Sequence, residues 1–210
     1  ARLFGSLRHA HLTHPCGTRL SCSWALFDLT SDTLGRITPV PGMAPRVFGS
    51  GAVYDGGYVD VYASQRRPCA FCLAGDMYVA RVPEGQIMVP GAWRFRSGTR
   101  WVSDRFAAKP VLPAAVSNTD VQPYGNGFLL TTKTVSIIGP PVEAWWAPNP
   151  EGPWQDLGTV FDVPDPPPSS VPGFAYREAY TYNPIVLAST HLSDGGMLGS
   201  FASRISGSAD

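Results

Sequence analysis

Short apolar runs broken by glycine-containing turns recur along this chain, and three segments share one plan: a strand, a turn, a second apolar strand. The first runs Val47-Phe48-Gly49-Ser50-Gly51-Ala52-Val53-Tyr54, turns at Asp55-Gly56-Gly57 and returns through Tyr58-Val59-Asp60-Val61-Tyr62-Ala63. The second covers Val116 to Tyr124, turns at Gly125-Asn126-Gly127 and returns through Phe128-Leu129-Leu130-Thr131-Thr132. The third pairs the stretch from Tyr182 to Ala188 with Met197 to Phe201, across a longer loop that contains Asp194-Gly195-Gly196. Asp-Gly and Asn-Gly supply the positive φ angles that tight hairpin turns require. A third strand is predicted after each of the first two hairpins, at Asp76–Arg81 and Val142–Ala147, and a fourth, outer strand at Trp93–Phe95 and from Trp154 to Phe161. Near the start of the chain, Ser23 to Asp28 reads as a third strand with no first two before it. No stretch carries a sustained helical period with caps.

The three turns fall near residues 56, 126 and 195, a period of about 70 residues. A repeat of four antiparallel strands is the blade of a β-propeller. The predicted fold class is therefore all-β, a propeller of four-stranded antiparallel blades, with a β-sandwich as the alternative. Blade remnants occupy 1–45, blades 46–113 and 114–170, and a partial blade 171–210, all within a single domain or fragment. About three blades fall short of the roughly four to eight that close a ring. A missing N-terminal segment or another chain is expected to complete it.

Composition agrees with many short strands. Glycine and proline number 22 and 21 in 210 residues, a load that would interrupt helices too often. Hydrophobic residues make up 44% and charged residues 15%, which excludes a disordered chain. Lys+Arg and Asp+Glu balance at 16 each, so no global field directs the protein to nucleic acid. No apolar run reaches the roughly 18 residues of a transmembrane span.

The four cysteines form two close pairs, Cys16/Cys22 and Cys69/Cys72, read as two local disulfides. A zinc site is the competing reading, because Cys69-Ala70-Phe71-Cys72 has ligand spacing. Disulfides imply an oxidising compartment, and with it secretion or the cell envelope. His9, His11 and His14 cluster early and His191 lies in the long loop of the third repeat. With no acid nearby in the N-terminal segment, a solvated role is preferred over a metal site.

Propeller ligands meet the ends of the innermost strands around a central channel. That places Ser50, Asn118 to Asp120, and Tyr182 with Asn183 at one mouth, with Tyr176, Arg177, Glu178 and Tyr180 close by. Glycoside hydrolysis needs two carboxyl groups, one donating a proton and one acting as base or nucleophile. Asp120 and Glu178 are the candidate pair. Ser50, Asn118, Tyr176, Arg177, Tyr180, Tyr182 and Asn183 are candidate substrate-binding residues, the tyrosines for their flat faces. Trp93, Trp101 and Trp154 are assigned to packing between blades. The bland alternatives are a turn cap for Asp120 and a surface ion pair with Arg177 for Glu178.

The segment Ala147-Pro148-Asn149-Pro150-Glu151-Gly152-Pro153-Trp154 resembles the Pro-x-Gly-Pro-Trp turn of five-bladed propeller glycoside hydrolases that act on arabinans and xylans. With Tyr182-Asn183-Pro184 and Asp194-Gly195-Gly196, the likeness is greatest to the actinobacterial domain-of-unknown-function 4185 family, whose members are endo-D-arabinanases. This resemblance implies a secreted glycoside hydrolase, or a segment of one, acting on arabinan-like polysaccharide of a cell wall. Some related propellers hold calcium on the axis, so a structural calcium is admitted, though no acidic cluster marks it; no other cofactor is expected. The alternatives are a non-catalytic glycan-binding or adhesion propeller and a purely structural envelope component.

Overall fold

A computed structural model describes residues 2–8, 22–28, 33–39, 46–66, 75–115, 119–134, 141–162, 174–187, 192–193 and 196–209. Among these the chain is all-β: fifteen strands in four antiparallel sheets, two short 3-10 turns and no α-helix. No helix among the described residues is long and apolar enough to cross a membrane.

The first sheet is a three-stranded meander of β1 (Arg2–Arg8), β2 (Cys22–Asp28) and β3 (Thr33–Pro39). Ser23 to Asp28 is thus its central strand, paired on one side with β1 and on the other with β3. The sequence reading placed it third, because the alternation of a short apolar strand carries no information on its neighbours.

The second sheet begins with β4 (Val47–Asp55), β5 (Tyr58–Arg66) and β6 (Gly75–Pro83). Asp55 pairs with Tyr58 across Gly56 and Gly57, whose φ angles of 51° and 88° give the turn that the Asp-Gly-Gly sequence predicts. The free edge of β6 is shared: β7 (Arg94–Ser97) pairs at Ala80 and Arg81, and β9 (Leu112–Ala115) at Gly75 and Met77. Beyond β7 lies β8 (Arg100–Val102), joined by a turn at Gly98. The expected outer strand at Trp93–Phe95 is therefore a small hairpin, with β9 filling the rest of the edge.

The third sheet has the order β10 (Asp120–Tyr124), β11 (Gly127–Thr132), β12 (Val142–Ala147) and β13 (Gln155–Phe161). Its outermost strand, β13, is solvent-exposed over most of its length. The fourth sheet is one long hairpin, β14 (Phe174–Leu187) with β15 (Leu198–Ala209). β14 starts eight residues before the predicted strand at Tyr182, since the charged Arg177-Glu178 pair obscured the alternation of Phe174, Tyr176, Tyr180 and Tyr182. Pro184 falls where the β14–β15 register shifts, between Tyr182 and Ile185, which is where a sheet tolerates proline.

Period-2 alternation decides what each face covers. Tyr62, Met77 and Val79 of the second sheet meet Val121, Phe128, Leu130 and Trp145 of the third in one core cluster. The alternate residues Val61, Ala63, Tyr78, Ala80 and Val82 face the other way, beneath Phe48, Trp93 and Ala108. In the third sheet, Leu129 and Ala144 turn away from the second and pack with Val186 and Met197 at the fourth. The third sheet is thus apolar on both faces and sits between its two neighbours in sequence.

Candidate functional site

The first strands of the last three sheets converge, with β10 lying against both β4 and β14. In β4 the register shifts between Phe48 and Gly51, leaving Gly49 (φ 106°) and Ser50 out of the ladder as a bulge. There the backbone N–H of Thr119 donates to the Ser50 carbonyl at 3.4 Å. The hydroxyls of Ser50 and Thr119 are both buried with no hydrogen-bond partner among the described residues. Such hydroxyls, desolvated and unpaired, are costly in a purely structural role.

The next residue, Asp120, opens β10 and is half-buried. Its Oδ2 accepts from the Gln122 side-chain amide at 2.6 Å, and its carboxylate also accepts from the backbone N–H of Val186 on β14. Burial raises the Asp120 pKa above the ordinary carboxylate value, against the lowering effect of these two hydrogen bonds. A carboxyl held in this way is easier to keep protonated than a solvated one, the property a proton donor needs.

Of the residues read from the sequence, the structure brings Ser50 and Asp120 to this one junction. Tyr176, Arg177, Glu178, Tyr180, Tyr182 and Asn183 take their backbone places along β14, with Glu178 opposite Ser206. Eight residues separate Glu178 from Val186, about 26 Å of unbent strand, and β14 carries register shifts at Tyr176/Glu178 and Tyr182/Ile185. Asn118, Cys16, Cys69, Cys72 and all four histidines lie outside the described residues, and with them the disulfide reading; Cys22 is the first residue of β2. Among the described residues no group of three or more His, Cys, Asp or Glu side chains could hold a metal ion.

A second polar cluster joins the second and third sheets. Asp60 of β5 is 0% exposed, and its Oδ1 accepts from Nε of Arg81, its cross-strand partner on β6, at 3.4 Å. The same guanidinium forms an ion pair with Glu151 at 3.5 Å, and Arg96 of β7 pairs with the other Glu151 oxygen at 3.5 Å. The Trp101 ring lies 4.1 Å from Arg81 and 5.4 Å from Arg96, and Tyr58 covers Arg81 at 4.9 Å. Close by, the buried Tyr62 hydroxyl donates to the Pro150 carbonyl at 2.7 Å. The 148–153 loop of the Gly-Pro-Trp segment is thereby fastened to the second sheet. Burial pushes the Asp60 pKa up to about 6; the charge and hydrogen bond of Arg81 oppose this, and Glu151 and Asp55 add to it. With no solvent access, Asp60 cannot reach a polymeric substrate.

The family model for Domain of unknown function (DUF5005) matches residues 17–205, almost the whole chain. The chain belongs to the DUF5005 family. No curated protein matches it. In this DUF5005 chain, sequence reasoning missed Asp60, Arg81, Arg96 and Glu151. The available signal was an acid inside the apolar strand Tyr58-Val59-Asp60-Val61-Tyr62, which demands a partner once that strand is buried on both faces.

The Tyr62 bond permits a direct check. Tyr62→Phe leaves the buried Pro150 carbonyl without its donor and should lower stability by about 1–2 kcal/mol. Urea unfolding followed by tryptophan fluorescence measures this; an unchanged midpoint would show that the hydroxyl contributes nothing to the sheet contact.

Proposed function

We propose that this DUF5005 chain is a carbohydrate-active domain, secreted or held in the cell envelope, that takes an arabinan-like polysaccharide at the junction of β4, β10 and β14. In this reading the second, third and fourth sheets are successive blades of a propeller of about five. The stacking of the third sheet between its two sequence neighbours supports a propeller over a sandwich, whose two layers would leave its outer face to solvent. The resemblance of the 147–154 segment to glycosidase propellers supports the substrate class.

The observation that carries the reading is Asp120: a half-buried carboxyl with a raised pKa where β10 meets β4 and β14, next in sequence to Thr119, whose hydroxyl, like that of Ser50, is buried without a partner among the described residues. As a general acid it gives its proton to the glycosidic oxygen as the bond breaks. Glu178, eight residues along β14 from the Val186 amide that holds Asp120, lies beyond the roughly 5–10 Å at which a base or nucleophile must stand. Hydrolysis of arabinan and xylan by the wild type and by Asp120→Asn is the test. The expected result is at least a hundredfold loss of rate with glycan binding retained. Full activity in the variant would remove Asp120 from the chemistry.

One observation favours a second reading, a non-catalytic glycan-binding module. Tyr54 and Tyr58 flank the first hairpin turn and Tyr124 the second, all three exposed. Exposed rings at hairpin tips suit stacking on sugar faces. Saturable binding without hydrolysis by the wild type, lost in Tyr54→Ala, selects this reading.

A further inference from the structure

Arg81 stands between two carboxylates that differ in their access to water. Asp60 is wholly buried in the second sheet, and Glu151 sits at the rim on a loop of the third, with its side chain 15% exposed. The guanidinium presents Nε to one and Nη2 to the other, both at long ion-pair distances of 3.4 and 3.5 Å. It is divided between them. Asp60 Oδ2, for its part, is buried with no partner among the described residues.

The groups around Asp60 set its charge balance. Asp55 acts on it from β4, Arg81 from β6 and Glu151 from the 148–153 loop. Tyr62 follows it on the same face of β5, its phenol held protonated by burial. Arg96 of β7 reaches the cluster through Glu151, and Trp101 of β8 and Tyr58 of β5 contribute only ring faces. Three carboxylates thus face two guanidiniums, and a single proton would balance the set. The most deeply buried carboxylate, with one oxygen unpaired, is where that proton is held most favourably.

We propose that Asp60 is an acid-responsive element of the contact between the second and third sheets: ionised, it draws Arg81 into the second sheet, and protonated, it releases Arg81 to Glu151 and so tightens the hold on the 148–153 loop. The step takes one proton from solvent onto the Asp60 carboxylate and breaks no covalent bond. It does not depend on the role of Asp120.

The direction follows from linkage. The folded chain binds the Asp60 proton at a higher pH than the unfolded chain, because burial raises the folded-state value to about 6 from 3.8. Stability therefore grows as pH falls through that window and is lost as pH rises through it. For those two values the unfolding constant should be about tenfold smaller at pH 5 than at pH 7.5 from this group alone.

Urea unfolding of the full chain at both pH values, for wild type and Asp60→Asn, tests this. The asparagine cannot titrate, so the expected result is that the wild type gains about tenfold on the variant in going from pH 7.5 to pH 5. Identical pH dependence in the two proteins overturns the proposal. Hydrogen exchange of the Gly152 amide, bonded to the Asn149 carbonyl at 2.9 Å, reads the loop directly. Its protection factor should rise at pH 5 in wild type and not in Glu151→Gln; a pH-independent factor in wild type overturns the loop's part. Should Asp60→Asn fail to fold, carbon NMR titration of the wild-type Asp60 carboxyl decides: a midpoint above 4.5 supports the proposal and one at or below 4.5 overturns it.

Discussion

Replacing Gly127 with alanine is expected to destabilise the protein by about 3 kcal/mol, the upper end of what overpacking costs. Gly127 opens β11 opposite Tyr124 and is buried where the third sheet is most crowded. A Cβ there would stand 2.3 Å from the Ala147 carbonyl oxygen and 2.7 Å from the Trp146 ring. The indole can swing; the carbonyl cannot, because it belongs to β12, whose Ala147 is in register with Phe128. The two strands must part where they pair. Gly125 in the same turn is the control: its φ of 61° is unfavourable for alanine, but nothing lies within 4 Å of the added Cβ. Gly125→Ala should cost only about 1–2 kcal/mol. Urea unfolding of both variants separates steric from conformational cost, and a Gly127→Ala protein no less stable than Gly125→Ala would contradict the close approach of β11 to β12.

The second large effect is expected at Arg81. Arg81→Leu keeps much of the apolar stem but leaves Asp60 buried without its cation, and Glu151 with Arg96 as its one ion-pair partner among the described residues. Losing one partner of a buried ion pair costs about 3–5 kcal/mol, chiefly through the charge left behind. That cost should appear at pH 7.5 and shrink at pH 5. Removing Arg81 takes away the main influence lowering the Asp60 pKa, so the carboxyl moves further upward and is neutral at the lower pH. The double variant Asp60→Leu with Arg81→Leu should recover most of the loss. Unfolding midpoints of the single and double variants at both pH values measure this, and an equal loss at pH 5 and 7.5 would exclude the buried charge as its cause.

The hairpins were legible because their signals are local. Asp55-Gly56-Gly57 and Gly125-Asn126 fix turns within a few residues, and the apolar runs of β6 and β12 follow at short range. The approach of Ser50 to the start of β10 was legible for a related reason: Ser50 and Asp120 both lie on the first strand of a hairpin, and such strands share a place in any repeat. Strand order within the first sheet was not, because Ser23 to Asp28 reads the same in a central or an outer position. The reach of β14 back to Phe174 was hidden by Arg177 and Glu178, which break the apolar alternation without breaking the strand. The Asp60 cluster was least accessible. Asp60 and Glu151 belong to different sheets, and neither residue has a neighbour in sequence that names its partner in space. The Gly-Pro-Trp segment shows the same divide: its turn was visible, but not its attachment through Pro150 and Glu151 to the second sheet.

Because the second, third and fourth sheets stack in chain order, each described contact between them joins immediate sequence neighbours. Such an arrangement behaves as a nearly one-dimensional array, whose stability is the sum of each unit's own folding energy and the coupling to the unit on either side. Damage at one interface then spreads no further than the adjoining sheet. Folding can start at any of the local hairpins and advance along the stack, and the third sheet, whose central strands β11 and β12 are buried on both faces, becomes the unit that cannot stand until a neighbour has formed.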